Sequence, residues 1–152
     1  MILYNKSMKL TNKILILTFA CGIPAFLLGR VIWPDPVGAV PPTTGELPFF
    51  VLLSVIEAVV FGLGVSLVVF GRSLLENVPE RYRTRAVLSF ISVAWLLISW
   101  WPHDNMHRAN GENLQGLLLI EYQFHVTLIA ASLIIAYCLI TLLREAANSR
   151  QS

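Results

Sequence analysis

Between Leu114 and Leu143 the chain runs for 30 residues with one carboxyl, Glu121, and one imidazole, His125, in an otherwise apolar stretch. A helix crossing a bilayer needs about 20 mostly apolar residues. Three more segments approach that requirement: Ile14 to Trp33, Leu47 to Gly71, and Ala86 to Trp101, the last short at 16 residues. Apolar runs of this length exceed a barrel strand, and none alternates apolar with polar residues. The expected fold is all-α: a single four-helix transmembrane bundle with antiparallel neighbours.

Charge supports the same reading. Only 13% of the 152 residues are charged, where a soluble domain carries about 25%. Disorder is excluded, since it requires low hydrophobicity and high net charge. A net charge of +2 with scattered basic residues makes no nucleic-acid patch. Two cysteines, Cys21 and Cys138, cannot form a disulfide-rich scaffold. Both are expected in the same half of their spans, as small buried hydrophobes.

Lys and Arg placement predicts orientation. Lys6, Lys9, Lys13, Arg72, Arg81, Arg83, Arg85, Arg144 and Arg150 fall on one side, and only Arg30 and Arg108 on the other. Both termini are therefore expected in the cytoplasm, with a bacterial inner membrane as the fitting location. Asp35, Glu46, Asp104 and Glu112 make the opposite loops mildly acidic, and Trp33, Trp100 and Trp101 stand where interfacial anchors belong. A basic stretch before an apolar run resembles a secretory signal. Ala20-Cys21 hints at a lipoprotein site, but Thr18 stands where such a site usually has Leu and the apolar run before Cys21 is short, so an uncleaved first span is expected. Pro34, Pro36, Pro41 and Pro42 make the first loop stiff, and Pro79 breaks helix in the second.

Ser54, Ala58, Gly62 and Ser66 recur every fourth residue in the second span. Small residues at this spacing let helices approach closely in lipid. Glu57 lies next to that stripe and is expected to face the bundle.

Ionisable groups inside a membrane are costly and commonly functional. Here they are Glu57, Glu121 and His125, with His103 and His107 just after the third apolar run. Helical rise from Arg72, Arg85 and Arg144 sets Glu57 at ~22 Å, His103 at ~27 Å and His125 at ~28 Å. The same ruler sets His107 at ~33 Å and Glu121 at ~34 Å, provided the third helix continues. Pro102 either turns the chain there or begins a short new helix. In both cases His103 and His107 share a helix face, as do Glu121 and His125.

Three imidazoles and a carboxylate suit Zn²⁺, Fe²⁺, Mn²⁺ or Cu²⁺, and do not suit Ca²⁺ or Mg²⁺. The expected ligands are His103, His107, Glu121 and His125, with Glu57 and Asp104 as partners that orient an imidazole. A haem held by two of the histidines is the lesser cofactor alternative. His103-Asp104-Asn105-Met106-His107 resembles the zinc-protease pattern H-E-x-x-H, with Asp in place of Glu. That resemblance covers five residues and implies zinc on the two histidines, with Asp104 as general base. Glu121 and His125 depart from the di-iron E-x-x-H spacing by one residue.

The competing explanation of these residues is an unmetallated polar network that joins helices. Three functions follow: a metal-binding membrane protein, whether metal handler or small redox or hydrolytic enzyme; a non-enzymatic subunit or assembly factor of a larger membrane complex; or a proton or cation pathway through Glu57.

Overall fold

The computed structural model describes residues 9–111 and 113–148; Lys6, Glu112 and Arg150 lie outside them. All regular structure among the described residues is helical. Helix α1 spans Leu10–Ile32, α2 Leu47–Leu75 and α3 Glu80–Asn110. Helix α4 spans Leu114–Asn148 and carries one π-helical turn, Glu121–His125. All four are long and apolar enough to cross a membrane. Large apolar side chains cover their exposed faces, among them Leu27, Phe49, Ile91 and Leu133. Such a surface belongs in lipid.

The principal contacts are between chain neighbours: α1 on α2, α2 on α3, and α3 on α4. Helix α2 is the most covered, with 28% of its most apolar window buried against 11% for α4. Glycine explains why α2 can take neighbours on two sides. A β-carbon at Gly62 would collide with the Thr18 carbonyl of α1, and one at Gly64 would lie 2.7 Å from Ile98 Cγ1 of α3. Gly71 similarly receives the Phe90 ring. Gly62 and Gly64 are two residues apart, so they fall on nearly opposite helix faces.

The small-residue stripe of α2 is therefore occupied by α1 of the same chain. Ala58 and Ser66 on that stripe are buried. Gly22 meets the Ala58 carbonyl, and the Thr18 hydroxyl meets that of Ser66 at 3.1 Å. Ser66 also donates to the Gly62 carbonyl at 2.9 Å. These bonds satisfy polar groups that lipid cannot. Cys138 packs on the Arg85 carbonyl of α3, while Cys21 lines a shallow apolar groove with Phe61 and Trp101; both are free thiols.

Helix α3 continues well past the apolar stretch that ends at Trp101. Pro102 lies inside it. Proline removes one backbone bond, yet membrane helices tolerate this when other groups take up the freed carbonyls. Trp101 is buried among Ala25, Ala58 and Phe61, and meets Trp33 edge-on at 5.0 Å. It is a core residue here, unlike Trp100, which is exposed. Gly111, at φ 53°, then ends the helix with its N–H on the His107 carbonyl.

The helix starts are chemically marked. Asn113 caps α4 by accepting from Gln115 and Gly116 N–H groups. Before α2, Glu46 accepts from the Thr43 hydroxyl at 2.7 Å and from its N–H at 3.0 Å. Those Thr43 donors hold the Glu46 carboxyl below its ordinary value. This contribution is present above the ordinary carboxylate range and is lost as pH falls through the lowered value.

Replacing Gly62 by Leu forces α1 off α2. The expected loss is about 1–3 kcal/mol, as for other overpacked sites, read as a lower midpoint of unfolding in detergent. Substituting Leu at exposed Gly45, which has open space around it, leaves that midpoint unchanged.

Candidate metal centre

His103 and His107 stand one turn apart on the last turns of α3, and their rings meet edge-on at 4.6 Å. They occupy a place beyond the apolar stretch because the helix runs through Pro102. His125 comes from the π turn of α4. Its ring lies 4.8 Å from that of His103 and 5.6 Å from that of His107. The nearest nitrogens of all three fall within 4.8 Å of one another. Phe124 flanks the cluster, 5.5 Å from the His103 ring. All three rings are half-buried.

The π turn has its own supports. Such a turn interrupts the regular i→i−4 ladder and disturbs nearby carbonyls. The Thr127 hydroxyl lies 2.8 Å from the Gln123 carbonyl and 3.0 Å from that of Phe124. It also receives the Trp95 indole N–H of α3 at 3.0 Å. Trp95 and Thr127 thus tie the π turn to the helix that carries the other two histidines. A threonine inside an apolar run carries no sign of this role, and neither does a tryptophan 32 positions away.

His103 Nε2 and His125 Nε2 are 2.9 Å apart. One nitrogen must donate and the other accept, so at least one ring is neutral. The Nδ1 of His125 bonds the Glu121 carboxylate. A carboxylate only accepts, so Nδ1 carries the proton; in the neutral ring this leaves the Nε2 lone pair for His103 Nε2–H. His107 has ring contacts to both other histidines and no side-chain hydrogen bond among the described residues.

Glu121 therefore lies behind His125, on the nitrogen remote from His103. Asp104, next to His103 in α3, stands with Glu57: the buried Glu57 carboxyl lies beside Asp104 and the Trp100 indole. No hydrogen bond joins either acid to a histidine among the described residues, and Glu57 Oε1 has no hydrogen-bond partner there.

A second polar cluster pins the first loop to the end of α3. Asp35 pairs with Arg30 and, at 3.0 Å, with Arg108 Nε. Arg108 also donates to Asn105 Oδ1 at 2.7 Å and to the Trp33 carbonyl at 3.3 Å. Buried Asn105 in turn donates to the Trp101 carbonyl at 2.7 Å. This network fixes the helical turns that present His103 and His107.

The set is compatible with a metal of zinc-like size. Tetrahedral coordination at ~2.0–2.1 Å spaces ligand nitrogens about 3.3 Å apart. The His103–His125 pair is already closer than that. The wider separations, none above 4.8 Å, need to close by about 1.5 Å or less.

Thr127→Val removes the hydroxyl that serves both carbonyls and the Trp95 indole. The expected cost is about 1–3 kcal/mol for the groups left unsatisfied, measured as a lower unfolding midpoint of the metal-free protein. Thr141→Val removes a comparable hydroxyl remote from the π turn, and serves as the reference.

No family model, no curated protein and no solved structure matches this chain, so its chemistry is read from these side chains.

Proposed function

We propose that the protein is an integral membrane protein that binds one transition-metal ion through His103, His107 and His125. The carrying observation is His107: it completes a cluster of three imidazoles while making no hydrogen bond of its own among the described residues. A network that merely joined α3 to α4 would need only the His103–His125 contact. Imidazole donors favour Zn²⁺, Cu²⁺ or Fe²⁺, and leave Mg²⁺ and Ca²⁺ without the oxygen ligands they require. Direct contact between His103 and His125 favours a bare ion over a haem, whose plane would have to part the two rings.

In this reading the helices are antiparallel, both termini face the cytoplasm of a bacterial inner membrane, and the metal centre opens on the far side. Thr18 against Ser66, Gly22 against Ala58, and Arg85 against Glu145 support the antiparallel arrangement. Clustering of Arg72, Arg81, Arg83 and Arg85 between α2 and α3 supports the orientation.

Glu57 favours a second reading, a proton or cation path, because its buried Oε1 has no hydrogen-bond partner among the described residues. Toward the basic end, however, Thr18 and Ser66 bond each other and the Ile14 and Gly62 carbonyls. Flux into liposomes that survives Glu57→Gln removes this reading.

Protein purified in mild detergent is expected to hold one transition-metal ion per chain by elemental analysis. The double variant His107→Ala, His125→Ala should fall to background. Folded wild-type protein that takes up no stoichiometric metal when offered Zn²⁺, Cu²⁺ or Fe²⁺ overturns the proposal.

A further inference from the structure

We infer that the centre is a three-histidine site with an open coordination position for water, hydroxide or another small anion, and that Glu121 orients His125 without coordinating. The inference rests on the metal-binding reading above. It departs from a four-ligand set in which Glu121 binds the ion.

The two nitrogens of one imidazole point away from each other. Nε2 of His125 faces His103, and Nδ1 faces the Glu121 carboxylate. An ion seated among the three rings on the Nε2 side of His125 lies across that ring from Glu121. For Glu121 to coordinate it, the carboxylate must leave Nδ1 and swing around the imidazole. Holding its present position, it fixes the Nδ1–H tautomer and keeps Nε2 basic, the arrangement common to metal-bound histidines.

No other His, Cys, Asp or Glu side chain of the described residues joins the three. Among the described residues, the three histidines form the one group of His, Cys, Asp or Glu whose ligand atoms converge. Asp104 stands beside Glu57, and Cys138 packs at Arg85. Three-ligand zinc sites keep their fourth position for water or substrate. All three rings are half-buried rather than enclosed.

Charge selects what enters. Three neutral imidazoles add no charge, so the ligand shell of a divalent ion keeps its full charge, with two carboxylates, Asp104 beside His103 and Glu121 behind His125, in its surroundings. A positively charged ligand shell favours an anion over a neutral ligand at the open position. It also lowers the pKa of bound water, so hydroxide becomes available near neutral pH. Ligand class and charge thus point to a Lewis-acid centre rather than a closed structural one.

Metal-free, full-length protein in mild detergent can be loaded with Co²⁺ and titrated with azide. Wild type should bind one Co²⁺, give tetrahedral d–d bands, and shift those bands saturably with azide. Glu121→Ala should keep one Co²⁺ and the same azide response, with affinity weakened about 10–100-fold, the usual loss when an outer partner of a ligating histidine is removed. Glu121→Gln should recover part of that affinity, since its amide oxygen still accepts from Nδ1–H. Wild-type bands that ignore azide while those of Glu121→Ala respond would make Glu121 the fourth ligand and overturn the inference, leaving the metal reading intact. Bands that ignore azide in both proteins would mean a closed centre and overturn it too. Absence of stoichiometric Co²⁺ in wild type would overturn the metal reading and this inference together.

Discussion

Lipid offers no hydrogen bonds, so a polar group in the spanning part of this chain is costly unless it finds a partner within the protein. That constraint organises the packing. Ser66 and Thr18 bond each other where α1 and α2 come closest, and Ser99 returns its hydroxyl to the Trp95 carbonyl. Backbone contact this close is possible because Gly22 and Gly62 carry no side chain. Hydrophobic burial contributes little between helices already surrounded by hydrocarbon, so close van der Waals packing supplies the attraction. Helix α2 provides most of it, with Gly62 toward α1 and Gly64 and Gly71 toward α3.

The same constraint bears on the π turn inside α4. The Thr127 hydroxyl reaches the Gln123 and Phe124 carbonyls of that turn, and the Trp95 indole donates to Thr127 from the facing helix. Glu121 and His125 are the first and last residues of this turn. The irregular backbone, its polar supports and the imidazole cluster therefore form one unit. Here local geometry and site chemistry cannot be separated.

Much of this was legible from residue order. Apolar runs located all four helices, because a bilayer crossing imposes a length that composition alone reveals. Helical rise put His103 level with His125, and their Nε2 atoms are 2.9 Å apart. The length of α3 was less legible. Its last turns, from His103 to Asn110, are polar, so hydropathy falls off at Trp101 while the backbone stays helical through Pro102. Trp101 looked like an interfacial anchor by position, yet Gly29 and Ala25 leave room for it in the core. The π turn was not legible at all. Four-residue spacing puts Glu121 and His125 on one face in either kind of helix, and nothing in Tyr122-Gln123-Phe124 marks the difference. The direction in which Glu121 points depends on its side-chain torsions, which spacing does not determine.

Helix α4 gives the three-histidine cluster a mechanical meaning as well as a chemical one. It is the least covered of the four helices and meets the rest of the chain mainly through α3. Among the described residues its polar ties to α3, beyond the weak Cys138 thiol on the Arg85 carbonyl, are three: Arg85 to Glu145 near one end, Trp95 to Thr127 in the middle, and His103 to His125 near the other. The first is a partly exposed ion pair, a class worth about 0–1 kcal/mol. The second is a single neutral hydrogen bond, worth about 0.5–1.5 kcal/mol net. An ion shared by two histidines of α3 and one of α4 would replace the third, the hydrogen bond between rings, with coordination bonds from both helices. Metal binding and the docking of α4 are then linked, because an ion that binds only the docked arrangement stabilises it by mass action. On the proposed reading, the centre that offers an open position to an anion also holds the least-covered helix in place.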